Sequence, residues 1–313
     1  MRFRKSSKGA SAGRDDAIVP AVDTVYALPP RGVMSIDVED WFQVENLKGA
    51  VRRDTWNARQ LRVERNMDRM LELMADRGVR STCFVLGWIA DRCPALVSRI
   101  AAEGHEVASH GYGHELLDSL SPKEFRADVE RSKHVLEDLT ATEVLGYRAP
   151  AFSIKDWALP ILEDLGFTYD SSSFPTLAHD RYGRLTGMTA GQAVVELRPG
   201  FHEVCVSCLM VGSRGLPWGG GGYFRLIPYP LFRRGVERIL RSGQPYVFYI
   251  HPWEIDPGQP RVEELSRGYR FRHYVGLETC ERRFGSLLGD FRWSTAGELV
   301  AAMESHGVAR PSE

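Results

Sequence analysis

The chain has no uninterrupted apolar run approaching the roughly 18 residues of a membrane-spanning helix, so a helical span is excluded. An excess of one charge is also missing. Forty Lys and Arg against 41 Asp and Glu leave a formal net charge of −1, with an isoelectric point near 6.8. A nucleic-acid binder usually carries a basic face or an isoelectric point above about 9, and that class is set aside. Cysteine is scarce. The five, Cys83, Cys93, Cys205, Cys208 and Cys280, are scattered and odd in number, which does not describe a disulfide framework. Cys205 and Cys208 have the spacing of half a zinc ribbon, but there is no second pair and their neighbours alternate like a strand. A secretory leader is not legible either, because the apolar stretch Ala17-Ile-Val-Pro-Ala-Val is short, interrupted, and preceded by Asp15 and Asp16. The expectation is a soluble, cytoplasmic protein that works at the inner membrane face where its substrate requires it, with residues 1–28 disordered.

What the chain does contain is an alternation of strand and helix. Gln60 to Arg77 has apolar residues at helical spacing and ends at Gly78; Ser81 to Leu86 reads as a strand. Pro94 to Ala102 is a helix followed by the strand Glu106 to Ser109. Ser121-Pro-Lys-Glu124 has the form of a capping box with proline in the first turn, opening a helix to about Leu139. Further helices are expected at Trp157 to Leu165, Pro230 to Arg241, Cys280 to Leu288 and from Thr295. Repeating units of this kind predict an α/β protein, a distorted (β/α) barrel with about seven parallel strands. The pattern breaks at 179–223 into short β-like pieces and the run Gly219 to Gly222. We read this as an insertion on the catalytic face whose glycines hinge a lid, let backbone approach a sugar, or form a plain surface loop. The expected domains are the tail, a catalytic domain over 29–256, and a C-terminal extension over 257–313.

The residues that carry chemistry stand at strand ends. His110 and His114 follow the strand Glu106 to Ser109, and two imidazoles so spaced can converge on one divalent cation, although a pair at this spacing also arises by chance. Upstream, Arg31 to Ile36 reads as a strand ending in three carboxylates, Asp37, Glu39 and Asp40. The bland alternative, acids at a helix N-terminus, is weakened by the absence of a clear N-cap. Arg148 and Pro150 end a third strand-like stretch. His251 ends the apolar run Val247 to Ile250, where it can act as acid or base near neutral pH.

The ordered motifs Asp37-Val-Glu-Asp40, Ser109-His-Gly-Tyr-Gly-His114, Tyr147-Arg-Ala-Pro150, Tyr169-Asp-Ser-Ser172 and Tyr249-Ile-His-Pro-Trp253 resemble the NodB-homology polysaccharide deacetylases, carbohydrate esterase family 4. The segments Gly219 to Tyr229 and Phe271 to Val275 resemble the branch found in bacterial exopolysaccharide loci that also encode an exosortase. The resemblance implies a hydrolase that removes N-acetyl groups from an N-acetylhexosamine glycan with a divalent metal, Zn²⁺ first and Co²⁺ next. It implies Asp37 as base, His251 as the acid that protonates the leaving amine, and Arg148, supported by Asp170, as the group orienting the base. His110 and His114 become metal ligands, with Glu39 or Asp40 as the third, because this chain separates the acids where the family commonly has adjacent aspartates. Trp253, with Tyr147 and Pro150, is expected against the substrate; Trp41, Phe42, Trp88 and Trp218 are other candidate sugar platforms. The implied partners are a glycan and, through it, membrane-linked polysaccharide assembly enzymes. Two other readings stay open: a hydrolase of small cyclic amides or ureides, and a glycan-binding relative without activity.

Overall fold

A computed structural model describes residues 31–174, 183 and 185–306. The tail expected to be disordered lies outside them, as does part of the expected insertion. Strand β1, Gly32–Val38, is buried along its whole length, as its near-continuous apolar sequence requires of a parallel strand covered on both faces. It is followed by β2 (Thr82–Val85), β3 (Glu106–Ser109), β4 (Gly146–Tyr147), β5 (Tyr169–Asp170), β6 (Val194–Arg198), β7 (Phe201–Val204), β8 (Cys208–Val211), β9 (Arg214–Pro217), β10 (Tyr246–Ile250) and β11 (Trp293–Ser294). The helices are α1 (Val63–Ala75), α2 (Gly87–Arg92), α3 (Pro94–Ala102), α4 (Pro122–Thr140), α5 (Leu159–Asp164), α6 (Gly221–Leu226), α7 (Tyr229–Arg241), α8 (Arg267–Tyr274), α9 (Leu277–Asp290) and α10 (Ala296–His306). Ser121 caps α4 as the sequence predicts, its hydroxyl accepting from the Glu124 amide while Glu124 reaches back.

The main sheet runs β10-β1-β2-β3-β4-β5-β7-β6. From β10 to β7 every pairing is parallel; β6 is antiparallel to β7. This is the expected distorted barrel with seven parallel strands. Just past β7 the chain turns toward β10. Ser207 N–H donates to the Val247 carbonyl at 3.1 Å, and the Val247 amide donates to Ser207 Oγ at 2.8 Å. Side-chain alternation then divides the core. Val33, Phe84, Ala108, Tyr169, Val204 and Val247 point inward and are closed from below by Ala296, Leu299 and Val300 of α10. Met34, Ile36 and Val38 point the other way, into the larger layer beneath the surrounding helices.

Two sequence expectations change here. The β-like pieces between 185 and 223 are not all an insertion over the site: β6 and β7 extend the main sheet, and only β8 and β9 form a separate hairpin. Nor do the glycines form a plain loop. Gly220 pairs with Tyr249 of β10 in a parallel bridge, and a Cβ on Gly221 would run into the Glu254 carboxylate. Their lack of a side chain is what lets the start of α6 lie against the barrel.

Candidate metal centre

Because the central strands are parallel, the residues following β1, β3, β4, β5 and β10 emerge at one edge. That edge carries Glu39, His110, Arg148, Ser171 and His251. Asp37, two residues after the inward Ser35, faces the interior at the same level.

Glu39, His110 and His114 each present a ligand atom, all within 4.8 Å of one another. His110 Nδ1 meets the Arg148 carbonyl at 2.8 Å. The contact makes Nδ1 the protonated nitrogen and leaves the Nε2 lone pair for a cation. Burial holds the His110 imidazole down at about 4, so it is neutral at physiological pH, the form a metal requires. His114 Nε2 lies 2.8 Å from Glu39 Oε2. Burial raises the Glu39 carboxyl, but His114 and His251 outweigh that and bring it down to about 2. Two imidazoles and an ionised carboxylate fit Zn²⁺ or a similar divalent ion with open coordination positions.

Asp37 is held from the side away from the histidines. Arg148, fully buried, donates through Nη1 to Asp37 Oδ1 at 2.6 Å and to Ser35 Oγ at 3.0 Å, and through Nε and Nη2 to the Ser171 carbonyl and hydroxyl. The guanidinium is thereby fixed on three sides, and it fixes Asp37 in turn. Across the cavity, His251 Nε2 stands 3.2 Å from Glu39 Oε1 and 3.8 Å from Asp37 Oδ2. Its Nδ1 meets Glu254 Oε1 at 2.8 Å. Burial lowers the His251 imidazole, but Glu39, Glu254 and Asp37 together push it up to about 9. Glu254 is itself held by Arg225, whose Nε donates to Oε2 at 2.6 Å; burial raises this carboxyl, and Arg225 and His251 bring it down to about 2. Arg225 further donates to the carbonyls of His273, Val275 and Arg272.

Four expected site residues stand elsewhere or act differently. Asp40 faces away from the histidines: Oδ2 accepts from the amides of Arg62 (2.6 Å) and Val63 (3.0 Å), and Oδ1 from that of Trp41. It thereby caps the start of α1 from 22 residues away in sequence. Burial pushes Asp40 up to about 6 despite these bonds. Tyr147 and Asp170 precede the inward-turned Arg148 and Ser171, so strand alternation sends both to the outer face. Tyr147 packs there against Phe125 and Phe167. Asp170 makes no hydrogen bond to Arg148; its Oδ1 accepts from Ser172, and it neighbours Glu203, its β7 register partner. Burial pushes Asp170 up to about 6, and burial with Asp170 raises Glu203 well above the usual range. Pro150 is buried beside Gly111, behind the cavity wall.

Trp253 does line the cavity, but it is 3% exposed, with His251 and His273 stacked against it at 5.3 and 4.4 Å between centroids. So little of the ring is accessible that it packs against His251 rather than presenting a platform to a sugar. Trp41, Phe42 and Trp88 form an edge-to-face core cluster with Trp56, and Trp218 stacks on Phe232. The cavity itself, about 490 Å³, joins Asp37, Glu39, His110, His114 and His251 to an apolar wall. Among the described residues, three of the four non-glycine residues with positive φ, His114 (54°), Ala151 (49°) and Phe152 (59°), line it. Such strain persists where surrounding structure over-determines the backbone, and it gathers at working sites.

Residues 54–169 match the family Polysaccharide deacetylase, and residues 171–301 match DUF3473, a domain of unknown function. A peptidoglycan deacetylase-like protein of Gibberella zeae is 31% identical over 106 residues, 33% of this chain and 31% of that one. A peptidoglycan-N-acetylglucosamine deacetylase of Bacillus cereus is 33% identical over 84 residues, 27% of this chain and 28% of its own. The match thus spans about a third of these curated relatives. Among solved structures, a protein described as a candidate polysaccharide deacetylase from Mycobacterium smegmatis superposes with a TM-score of 0.55 at 18% identity, covering 95% of this chain and 99% of that one. At that identity the likeness is one of fold.

Proposed function

On the match of residues 54–169 to the Polysaccharide deacetylase family, we propose that the chain is a metal-dependent hydrolase removing N-acetyl groups from an N-acetylhexosamine glycan. The observation that carries this reading is the meeting, at one strand edge, of the Glu39, His110 and His114 donors with a carboxylate fixed by arginine and a histidine fixed by carboxylate. Glu39, His110 and His114 would hold a divalent ion, which when bound would supply Lewis acidity toward the acetyl carbonyl and lower the pKa of water toward about 7.

The chain's own groups do the rest. Asp37, oriented by Arg148, takes the proton of the attacking water. The developing oxyanion needs a backbone donor from the loop after Arg148. The Ala149 amide is occupied, donating to Ser172 Oγ at 2.7 Å, and Pro150 has none. The N–H of Ala151, a cavity-lining residue, is the donor we assign. An amine leaves poorly unless protonated. His251, which Glu254 favours in its imidazolium form, gives that proton and recovers one from Asp37 afterwards.

The exopolysaccharide role belongs to the same proposal. It is supported by the resemblance of Gly219 to Tyr229 and Phe271 to Val275 to that branch. No helix among the described residues is long and apolar enough to cross a membrane; action on a lipid-linked intermediate beside assembly enzymes is the accompanying expectation. Acetate released from chitooligosaccharides and N-acetylhexosamine polymers, with Zn²⁺ and then Co²⁺, tests the reading. Metal-dependent acetate that vanishes in Asp37→Asn supports it. Bound metal with no acetate from any glycan refutes it, in favour of small amides or an inactive binder.

A further inference from the structure

Away from the metal-binding donors the cavity runs out between two helices of the segment of unknown function. Gly222, Tyr223 and Leu226 of α6 form one wall; Gly268, Phe271 and Arg272 of α8 form the other. A second, shallower cavity of about 530 Å³ adjoins it, lined by Arg261, Arg267, Arg270 and Tyr274 and sharing Phe271 and Val275 with the first. Helical geometry explains the sharing. Positions 267, 270, 271 and 274 form one stripe of α8, and 268, 271, 272 and 275 the adjacent stripe. Phe271 lies on both and is 62% exposed at the ridge between the cavities.

Arginines gather at this junction. Nearby Arg62 and Arg65 pair with Asp256, and Arg225 with Glu254. By contrast Arg261, Arg267, Arg270 and Arg272 have no ion-pair partner among the described residues. Arg261 lies over the Tyr274 ring at 4.2 Å, and Arg270 donates to the Glu263 carbonyl. Glu263 is the only carboxylate lining the second cavity. Gly222 of α6 and Gly268 of α8 both line the first cavity, and a Cβ at either would meet nothing within 4 Å.

We propose that the glycan is anionic: the sugar next to the one whose amide is cleaved carries an oxyanion, carboxylate or phosphate, which binds the Arg261, Arg267, Arg270 and Arg272 bank while its ring lies on Phe271. Guanidinium groups match the planar, bidentate geometry of either oxyanion, and an exposed aromatic ring suits the C–H face of a pyranose. The inference rests on the deacetylase reading only for placing the N-acetyl group at the metal-binding end.

Calorimetric titration of the zinc-loaded full chain tests it with three probes: neutral chitotetraose, chitotetraose 1-phosphate, and the tetrasaccharide of alternating glucuronate and N-acetylglucosamine. An anionic probe should bind about tenfold tighter than the neutral one at low salt, and the advantage should fade near 0.5 M salt as exposed charges are screened. The double variant Arg267→Gln, Arg270→Gln, with a thermal melt confirming its fold, should lose most of that advantage. Which anionic probe binds identifies carboxylate or phosphate. Equal binding of all three probes, or an advantage untouched by the double variant, overturns the proposal. Acetate release is read in parallel. Acetate from the neutral tetramer without anionic preference retains the deacetylase reading and sinks this one, whereas arginine-dependent anionic binding with no acetate from any probe does the reverse.

Discussion

Replacing Asp40 by alanine separates two roles that its sequence neighbourhood confounds. Asp40 accepts three backbone hydrogen bonds, from Trp41, Arg62 and Val63, and touches neither histidine of the metal-binding set. Losing an N-cap costs about 0.5–2 kcal/mol. Leaving buried amides without an acceptor adds roughly 1–3 kcal/mol for each that water cannot reach. With Arg62 8% and Val63 0% exposed, a total of about 2–4 kcal/mol is reasonable, a fall in Tm of roughly 4–8 °C for a chain of this size. Asp40→Asn keeps an acceptor oxygen and should lose under half of that. Both variants should bind zinc as the wild type does. Glu39→Gln should bind zinc at least about 10-fold more weakly, having lost one charged ligand. The assays are differential scanning fluorimetry of metal-free protein and competition titration with a chromophoric zinc chelator. Zinc loss in Asp40→Ala with an unchanged Tm, beside retention in Glu39→Gln, would refute the assignment of these two acids.

Other perturbations act on the remaining groups. His251→Ala should lower kcat about 10²–10⁴-fold, the usual contribution of a general acid, while zinc affinity measured by the same chelator persists; His110→Ala should lose both. Gly221→Ala drives a methyl group into the Glu254 carboxylate, so kcat should fall with secondary structure intact by circular dichroism, and an unchanged kcat would show that Glu254 does not govern His251. Dialysis against a chelator should abolish acetate release and re-addition of Zn²⁺ restore it; full activity after complete removal would end the metal proposal. Asp170 has its folded-state pKa raised to about 6, so it contributes stability that is complete below about 4 and disappears as pH rises through 6. Wild type should therefore lose stability relative to Asp170→Asn as pH rises from 5 to 7.5, and a Tm difference between the two that stays constant over that range would show that Asp170 does not titrate there.

The parts of the site that could be read from the sequence are those whose placement depends on local pattern. A strand recognisable from its own residues delivers whatever follows it to the carboxyl edge, which is why Asp37, His110 and His251 were recoverable. The capping box of α4 is equally local. Tyr147 and Asp170 escaped because β4 and β5 are two residues long, too short to display an alternation from which inward and outward could be told. Asp40 was ambiguous because its hydrogen-bond partners lie 22 and 23 residues away. Glu254 behind His251 was missed although it stands three residues away, and the Arg225 that anchors Glu254 comes from 29 residues upstream, so only the fold unites them. In the arginine bank, Arg267 and Arg270 stand at helical spacing on α8. Its position beside the cavity depends on how the C-terminal helices pack, which no local pattern encodes.

The division of the chain into two matched segments cuts across the site. His110, His114 and Arg148 fall within residues 54–169, and Arg225, His251 and Glu254 within 171–301. Asp37 and Glu39 precede both, on β1. Yet β10, from the second segment, pairs with β1 from Gly32 through Ile36, and β11 pairs with its beginning. Removing the second segment would strip β1 of a central neighbour, uncover Val33 and the floor provided by α10, and delete His251, which stands 3.8 Å from Asp37. The segment of unknown function is therefore not an appendage to a finished barrel. It supplies strands of the main sheet, the histidine to which we assign the acid role, and both helices that line the far end of the cavity, so residues 54–169 alone hold only two of the three candidate metal donors and neither of the groups we assign to proton transfer.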